Sequence, residues 1–406
     1  MSAQVQEYIA GIYADGWSRI VATMIRFTGG DWDLAEECAQ DAFTRALLTW
    51  PGSGIPDQPL AWLTTTARNR ALDRMRRASR EAAKLRQTAV REPAQAPPYR
   101  GDGEIPDERL ELMFTCCHPS LNLDAQVALT LRSLAGMSTA EIARAFLLPE
   151  RTMGQRIFRA KQKVAHAGIP LRVPPAHLLA QRLPAVLHVL YLLFNEGYGD
   201  PDKTRLSQEA IRLARVLAAS MPDEPEAHGM LALMLLHDAR RAARIAADGG
   251  LVCLEEQDRS RWDRAQIAQG AALLERALRL RRAGPFQIQA AVAACHATAP
   301  DAARTDWPQI VGLYARLAAV APSAVVDLNH AVAVGMARGP QAALPLIDAI
   351  VETGQLDGYY LLHAARADLL RRAGRGEEAA AGSRAALDLA PTEAERRVLR
   401  TRLGLR

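Results

Sequence analysis

The chain has 406 residues, 49% hydrophobic, with a net charge of +5, and such a length makes room for roughly two or three domains of about 150 residues. Ala, Leu and Arg dominate, aromatics are only 5%, and alternating runs of Val, Ile, Thr, Tyr and Phe are scarce, which excludes a β architecture and predicts an all-α fold. The five cysteines (Cys38, Cys116, Cys117, Cys253, Cys295) have no framework spacing, there is no secretory leader, and no apolar run is long enough for a bilayer, so reduced thiols in the cytosol and no membrane partner are expected.

Residues 4–27 predict a helix with Val5, Ile9, Ile12 and Tyr13 on its apolar face, broken at Thr28-Gly29-Gly30. A second helix is predicted from Asp31 to Trp50, stopped by Pro51 and Gly52. It places Ala35, Cys38, Ala39, Ala42 and Ala46 on one side. Glu36, Glu37, Gln40, Asp41, Thr44 and Arg45 fall on the other. Asp31–Trp50 carries five acids and one Arg, which describes either a wet amphipathic face or a docking surface for a basic partner; pattern alone favours the first.

After a loop at 51–58, Pro59–Arg80 predicts one long helix. Asp57 and Gln58 are candidate caps, and Pro59 suits the first helical position. Trp62, Leu63, Ala67 and Ala71 form its apolar stripe, and Arg70, Arg74 and Arg77 share another face. Between Ala61 and Arg91 nine Lys and Arg oppose Asp73 and Glu81. Like charges at i,i+4 repel, and a polyanion removes that cost. Trp62 and Asn69 add groups that stack on or hydrogen-bond to bases, so nucleic acid is the better reading of this run. The Pro- and Gly-rich stretch Glu92–Gly103 predicts a linker.

Further helices are predicted at Asp107–Phe114 and Leu123–Ala135. Between them Cys116, Cys117 and His118 lack the spacing and second pair of a zinc site, so packing, not a metal, is expected. Ser138 and Glu141 form a capping box opening the next helix, with Ile142, Ala143 and Phe146 inward. A four-residue turn, Leu147–Glu150, leads to a helix at Arg151–His166 with Arg151, Arg156, Arg159, Lys161 and Lys163, no acid, and Ile157 and Val164 as apolar anchors. Two short helices, a tight turn and a basic second helix describe a helix-turn-helix.

With these elements in place, residues 5–168 resemble the extracytoplasmic-function sigma factors of the sigma-70 family. The resemblance rests on AEECAQDAFTRALLTW (35–50), PLAWLTTTARNRALDRMRR (59–77) and STAEIARAFLLPERTMGQRIFRAK (138–161). It implies core RNA polymerase and promoter DNA as partners, with no cofactor and no enzymatic activity. The acidic helix would meet the polymerase clamp coiled coil through Glu36, Glu37, Gln40, Asp41 and Phe43. The loop and basic helix would read the −10 element through Trp62, Asn69, Arg70, Asp73, Arg74 and Arg77. The second basic helix would read the −35 element through Arg151, Thr152, Gln155, Arg156, Arg159 and Lys161. The chain departs from the family pattern at Leu147, where Gly is usual, at Pro149, where a Ser cap is usual, and at Gly154, where a basic residue is usual.

Beyond residue 171 the sequence predicts helices throughout. Segments 215–240, 313–339 and 383–404 each run helix, x-Pro, helix. Pro222, Pro322 and Pro391 fall close to multiples of the ~34-residue tetratricopeptide period. Leu190–Asp200 carries Asn195, Glu196, Gly197 and Tyr198, predicted as a helix stop and turn or as a contact surface onto the preceding domains. No Gly-rich phosphate loop, HExxH or paired nucleophile and base stands out. The expected division is 1–91 (region 2), 92–105 (linker), 106–170 (region 4) and 172–406, a tetratricopeptide-like extension regulating in cis by contact with the sigma domains, alone or with a protein regulator. From the residues alone, the rival is a helix-turn-helix activator with a repeat-type sensing domain; the acidic helix and the second basic block weigh against it.

Overall fold

A computed structural model describes residues 2–85, 108–134, 136–145, 148–169, 171–199, 204–246, 252–390 and 393–402. The predicted linker at 92–105, and Phe146 and Leu147 of the predicted turn, lie outside the described residues. The fold is all-α. By packing, the chain divides into two compact units, residues 1–217 and 218–406.

In the first unit α1 (Ser2–Phe27), α2 (Trp32–Ser53) and α3 (Pro59–Leu85) pack mutually. Alanine makes the close approach cheap: Ala35, Ala39, Ala42 and Ala46 of α2 and Ala67 and Ala71 of α3 are fully buried. Ile20, Met24, Ile25, Trp50 and Leu63 fill the rest of this core. Asp31 caps α2, its Oδ1 accepting from the Leu34 N–H at 3.0 Å. The predicted stop at Pro51 is overridden. The helix runs to Ser53 and ends at Gly54, whose φ of 84° suits glycine and whose N–H donates to Trp50 O at 3.0 Å. A proline so near a helix end removes one hydrogen bond and disturbs little after it.

The second part of this unit is α4 (Glu108–Cys116), α5 (Leu123–Ser133), α6 (Thr139–Ala145) and α7 (Glu150–His166), with α5, α6 and α7 in mutual contact. Asn122 caps α5. The capping box of α6 is formed: Glu141 accepts from the Ser138 N–H at 2.7 Å and its own N–H donates to Ser138 Oγ at 3.2 Å. Cys116 and Cys117 are packed inside, and burial pushes the Cys117 thiol up to about 12. Helix α8 (Ala176–Gly199) packs on α4 and α5, so this compact unit continues past the expected boundary near 171. The predicted stop at Asn195–Tyr198 is instead the helical last stretch of α8, where Tyr198 stacks on Phe194 with centroids 5.3 Å apart. Helix α9 (Thr204–Ser220) follows.

The second unit holds α10 (Pro225–Asp238), α11 (Arg241–Arg244), α12 (Arg264–Arg279), α13 (Pro285–Thr298), α14 (Trp307–Val320), α15 (Ala324–Arg338), α16 (Pro340–Glu352), α17 (Tyr360–Arg372), α18 (Gly376–Leu389) and α19 (Glu393–Arg402). Each helix from α12 onward packs on the next. Helices α13, α15, α17 and α19 start at residues 285, 324, 360 and 393. Helix α10 crosses α13 closely: a Cβ on Gly229 would stand 2.8 Å from the Gln287 nitrogen. Glu226 reaches the start of α13, accepting from Phe286 N at 3.0 Å and Gln287 N at 3.1 Å. Buried Leu328, Ala343, Ile347, Leu362 and Leu369 join α15, α16 and α17 in one core.

Candidate nucleic-acid interface

Helix α3 turns Leu63, Ala67 and Ala71 inward, which leaves its charged positions outside. Asn69, Arg70, Asp73, Arg76, Arg77 and Arg80 are all exposed. Trp62 is only half-buried and meets Trp50 edge-on at 5.4 Å, so part of its ring is already committed to the protein. Two of the predicted DNA-reading arginines lean toward α2. Arg70 Nε lies 3.4 Å from Asp41 Oδ2, and Arg74 bridges Glu37 and Asp41, at 3.3 Å from the latter. Such solvent-accessible pairs are worth about 0–1 kcal/mol each and exchange readily for another partner.

The acidic helix therefore has two faces. Glu37 and Gln40 are exposed and Asp41 half-exposed, on a stripe continued by Thr44 and by Leu48, which is 74% exposed. Glu36 and Phe43, predicted on the same docking face, are corrected by the structure: both are buried, at 7% and 4% exposure. Phe43 closes an aromatic cluster with Tyr13 at 4.9 Å and Trp17 at 6.2 Å. Glu36 is covered by the second half of the unit. Its Oε2 takes Arg132 of α5 at 3.3 Å and its Oε1 takes Lys161 of α7 at 2.8 Å; Lys161 also reaches Asp33 at 3.0 Å. Nearby, Gly136, with φ of 65°, lies against Trp17, where a Cβ would come within 2.9 Å of the indole. Arg26 of α1 pairs with Glu111 of α4. These contacts join α1 and α2 to α4, α5 and α7.

Helix α7 buries Met153, Ile157, Ala160 and Val164 at helical spacing. The opposite face presents Arg151, Thr152, Gln155 and Arg159 of the predicted set, all exposed. Two predicted members stand apart. Lys161, with a side chain 11% exposed, is turned onto α2, and Arg156 bends onto Asp124 at 3.3 Å. The reading missed Phe158, 54% exposed between Gln155 and Arg159. Its position opposite the Met153, Ile157, Ala160 and Val164 stripe was the available signal. An exposed ring among arginines suits the methyl group of a thymine or the face of a base. Pro149 stands at the N-cap and makes no side-chain bond to the helix.

Among the described residues no group of His, Cys, Asp and Glu is placed to hold a metal ion, and no helix is long and apolar enough to cross a membrane.

Comparison with known proteins gives three family matches. Residues 16–81 match sigma-70 region 2, residues 111–164 match sigma-70 region 4, and residues 182–278 match a family of unknown function, DUF6596. An uncharacterized protein of Rhizobium meliloti (strain 1021), R00370, is 44% identical over 381 residues, covering 91% of this chain and 89% of that protein. No solved structure matches.

Proposed function

The chain belongs to the sigma-70 family of sigma factors, with a C-terminal extension domain after regions 2 and 4, and on that premise we propose how it divides promoter recognition among its helices and how the extension takes part. Region 2 meets core RNA polymerase with Glu37, Gln40 and Asp41 of α2. It reads the −10 element from the exposed polar face of α3, where Asn69, Arg70, Asp73, Arg74 and Arg77 stand. Extruding a base from the duplex costs a few kcal/mol, which stacking and phosphate contacts offset. Region 4 reads the −35 element with Arg151, Thr152, Gln155, Phe158 and Arg159. The protein acts in the cytoplasm as an extracytoplasmic-function sigma factor whose tetratricopeptide-like extension regulates it in cis, joined or replaced by a separate protein regulator.

The observation that carries this reading is the exposed face of α7, cationic and aromatic, on a second helix-turn-helix helix anchored by four buried apolar residues. In vitro transcription with core RNA polymerase and a promoter library tests it. The full-length chain is compared with residues 1–217, which keep α8 on its packing partners. Transcripts sharing one −10/−35 pair are the expected result, with output from the two proteins differing. Silence from both rejects the sigma assignment of these surfaces; equal, equally regulated output rejects regulation by the extension.

A further inference from the structure

The second unit contains a cavity of about 190 Å³ between α13, α14 and α15 and the segment 254–259. Its walls are apolar where Trp307, Ile310, Val332 and Met336 line it, and polar where Arg259, His296, Thr305, Tyr314, Asn329 and Glu255 do. Arg259 is held in place by one nitrogen: Nη1 donates to His296 O and to Ala299 O, both at 2.7 Å, at the end of α13. Its guanidinium lies over the Trp262 ring, 4.5 Å from the centroid. The other guanidinium nitrogens donate to no protein acceptor among the described residues, so a half-buried arginine fork with donors to spare lines a chamber of mixed apolar and polar wall.

The surroundings leave this fork short of counter-charge. Burial, with Arg240 and Arg259 beside it, holds His296 down to about 4, and burial with Arg240 and Arg244 holds His237 down to about 3. Both rings are therefore neutral at pH 7. Asp238 is bound by Arg241 at 2.6 Å, and Asp301, the acid that acts on Arg259, is taken by Arg304 at 2.6 Å. Glu255 stands at the cavity, but it is exposed and its field is screened by solvent. A planar fork matches a carboxylate in two parallel hydrogen bonds. A phosphate dianion would ask for a second cation facing the chamber, and among the described residues Arg259 is the one Lys or Arg that lines it; Thr305, Tyr314 and Asn329 add neutral donors and Glu255 a like charge.

We propose that this cavity is a binding site for a small organic carboxylate, its carboxylate held by Arg259 and its apolar body packed against Trp307, Ile310, Val332 and Met336. A cavity of about 150 Å³ accommodates a benzene ring, so the occupant is one ring or a branched chain of that size. This site does not depend on the transcriptional reading of the first unit, and binding is measured without polymerase.

The test uses the full-length protein with benzoate, phenylacetate and 4-methylpentanoate, each beside its neutral primary amide, by isothermal titration calorimetry and thermal unfolding. At least one acid should bind one to one and raise the unfolding midpoint with rising concentration. Its amide should bind roughly tenfold or more weakly, the loss of a charge-assisted hydrogen bond. Val332→Phe fills the chamber while leaving the Arg259 bonds to α13 intact; it should abolish binding and keep the unliganded unfolding transition. Arg259→Lys keeps the charge, loses the fork, and should weaken binding roughly tenfold. The proposal is overturned if none of the three acids binds the folded protein, if acids and amides bind alike, or if folded Val332→Phe binds as the parent does.

Discussion

Lys161 of α7 and Glu36 of α2 meet at 2.8 Å with side chains only 11% and 9% exposed. By sequence, the first belongs to the −35 reader and the second to the polymerase docking face. In the folded unit they satisfy each other, and Arg132 completes the set. Neither can touch an outside partner while the contact holds. Glu36 and Lys161 thus couple regions 2 and 4, and any state that separates the regions must uncover a carboxylate and two cations. Burying an ion pair yields little net stability, but removing one member leaves the other desolvated and short of a partner.

Lys161→Met is accordingly expected to destabilise the first unit by about 1.5–3 kcal/mol, the range of a hydrogen bond to a charged group, because Glu36 keeps only Arg132. Glu36→Gln should cost a similar amount, and the double variant should cost less than the sum, since the two side chains touch. Chemical denaturation followed by tryptophan fluorescence reads both numbers. Strict additivity would mean that the pair contributes nothing.

The orientation of α7 separates residues that the sequence grouped together. Arg159→Ala should lose about 1–3 kcal/mol of discrimination at one −35 base pair, and Phe158→Ala should relax a preference for thymine or for an unstacked base. Lys163→Ala should weaken binding uniformly and reduce the salt dependence, as a phosphate contact does. Lys161→Met should leave base preference unchanged. Transcription from a library of −35 variants by the reconstituted holoenzyme measures all four. A change in base preference from Lys161→Met would place that side chain on DNA after all.

Two glycines predict opposite signs. Gly154 lies inside α7, and an added Cβ would meet only Thr139, at an ordinary 3.7 Å. Gly154→Ala should therefore stabilise by up to about 1 kcal/mol through helix propensity. Gly136 has φ of 65° and would press a Cβ to 2.9 Å from the Trp17 indole. Gly136→Ala should destabilise, by strain and by parting α1 from the α5–α6 turn. Thermal unfolding of the two variants decides, and a loss of stability in both would show that Gly154 is needed for more than room.

Much of the fold was legible because local rules agreed with the tertiary outcome. Asp31 precedes a clean apolar stripe, Ser138 and Glu141 form their box, and Met153, Ile157, Ala160 and Val164 mark the inner face of α7. The sequence misled where a distant element decided the environment. Glu36 lies on the wet side of α2 by helical wheel, yet Arg132 and Lys161 arrive from residues about a hundred positions away. Pro51 and Asn195 carry local stop signals, overridden by helices that end at Gly54 and Gly199. Phe158 carries no charge to mark it as a DNA contact, yet its wheel position, away from Met153, Ile157, Ala160 and Val164, already places it outside.

Two half-buried histidines of the second unit, His237 and His296, set a pH dependence of known sign. His296 titrates near 4 and His237 near 3 in the folded protein, against an ordinary value of 6.5. Below about pH 6.5 the unfolded chain takes up protons that the folded unit refuses, so stability falls as pH drops. For His296 the loss runs from 6.5 down to about 4, after which both states are protonated; His237 carries it lower. Above pH 7 neither contributes a slope. His296→Gln removes one titrating group, so it should cost stability at pH 8, where the ring's contact with Trp307 at 5.3 Å is lost. The cost should shrink or reverse by pH 5. Unfolding midpoints of parent and variant from pH 5 to 8 test this. A difference that stays constant over that range would mean that His296 titrates as an exposed histidine does.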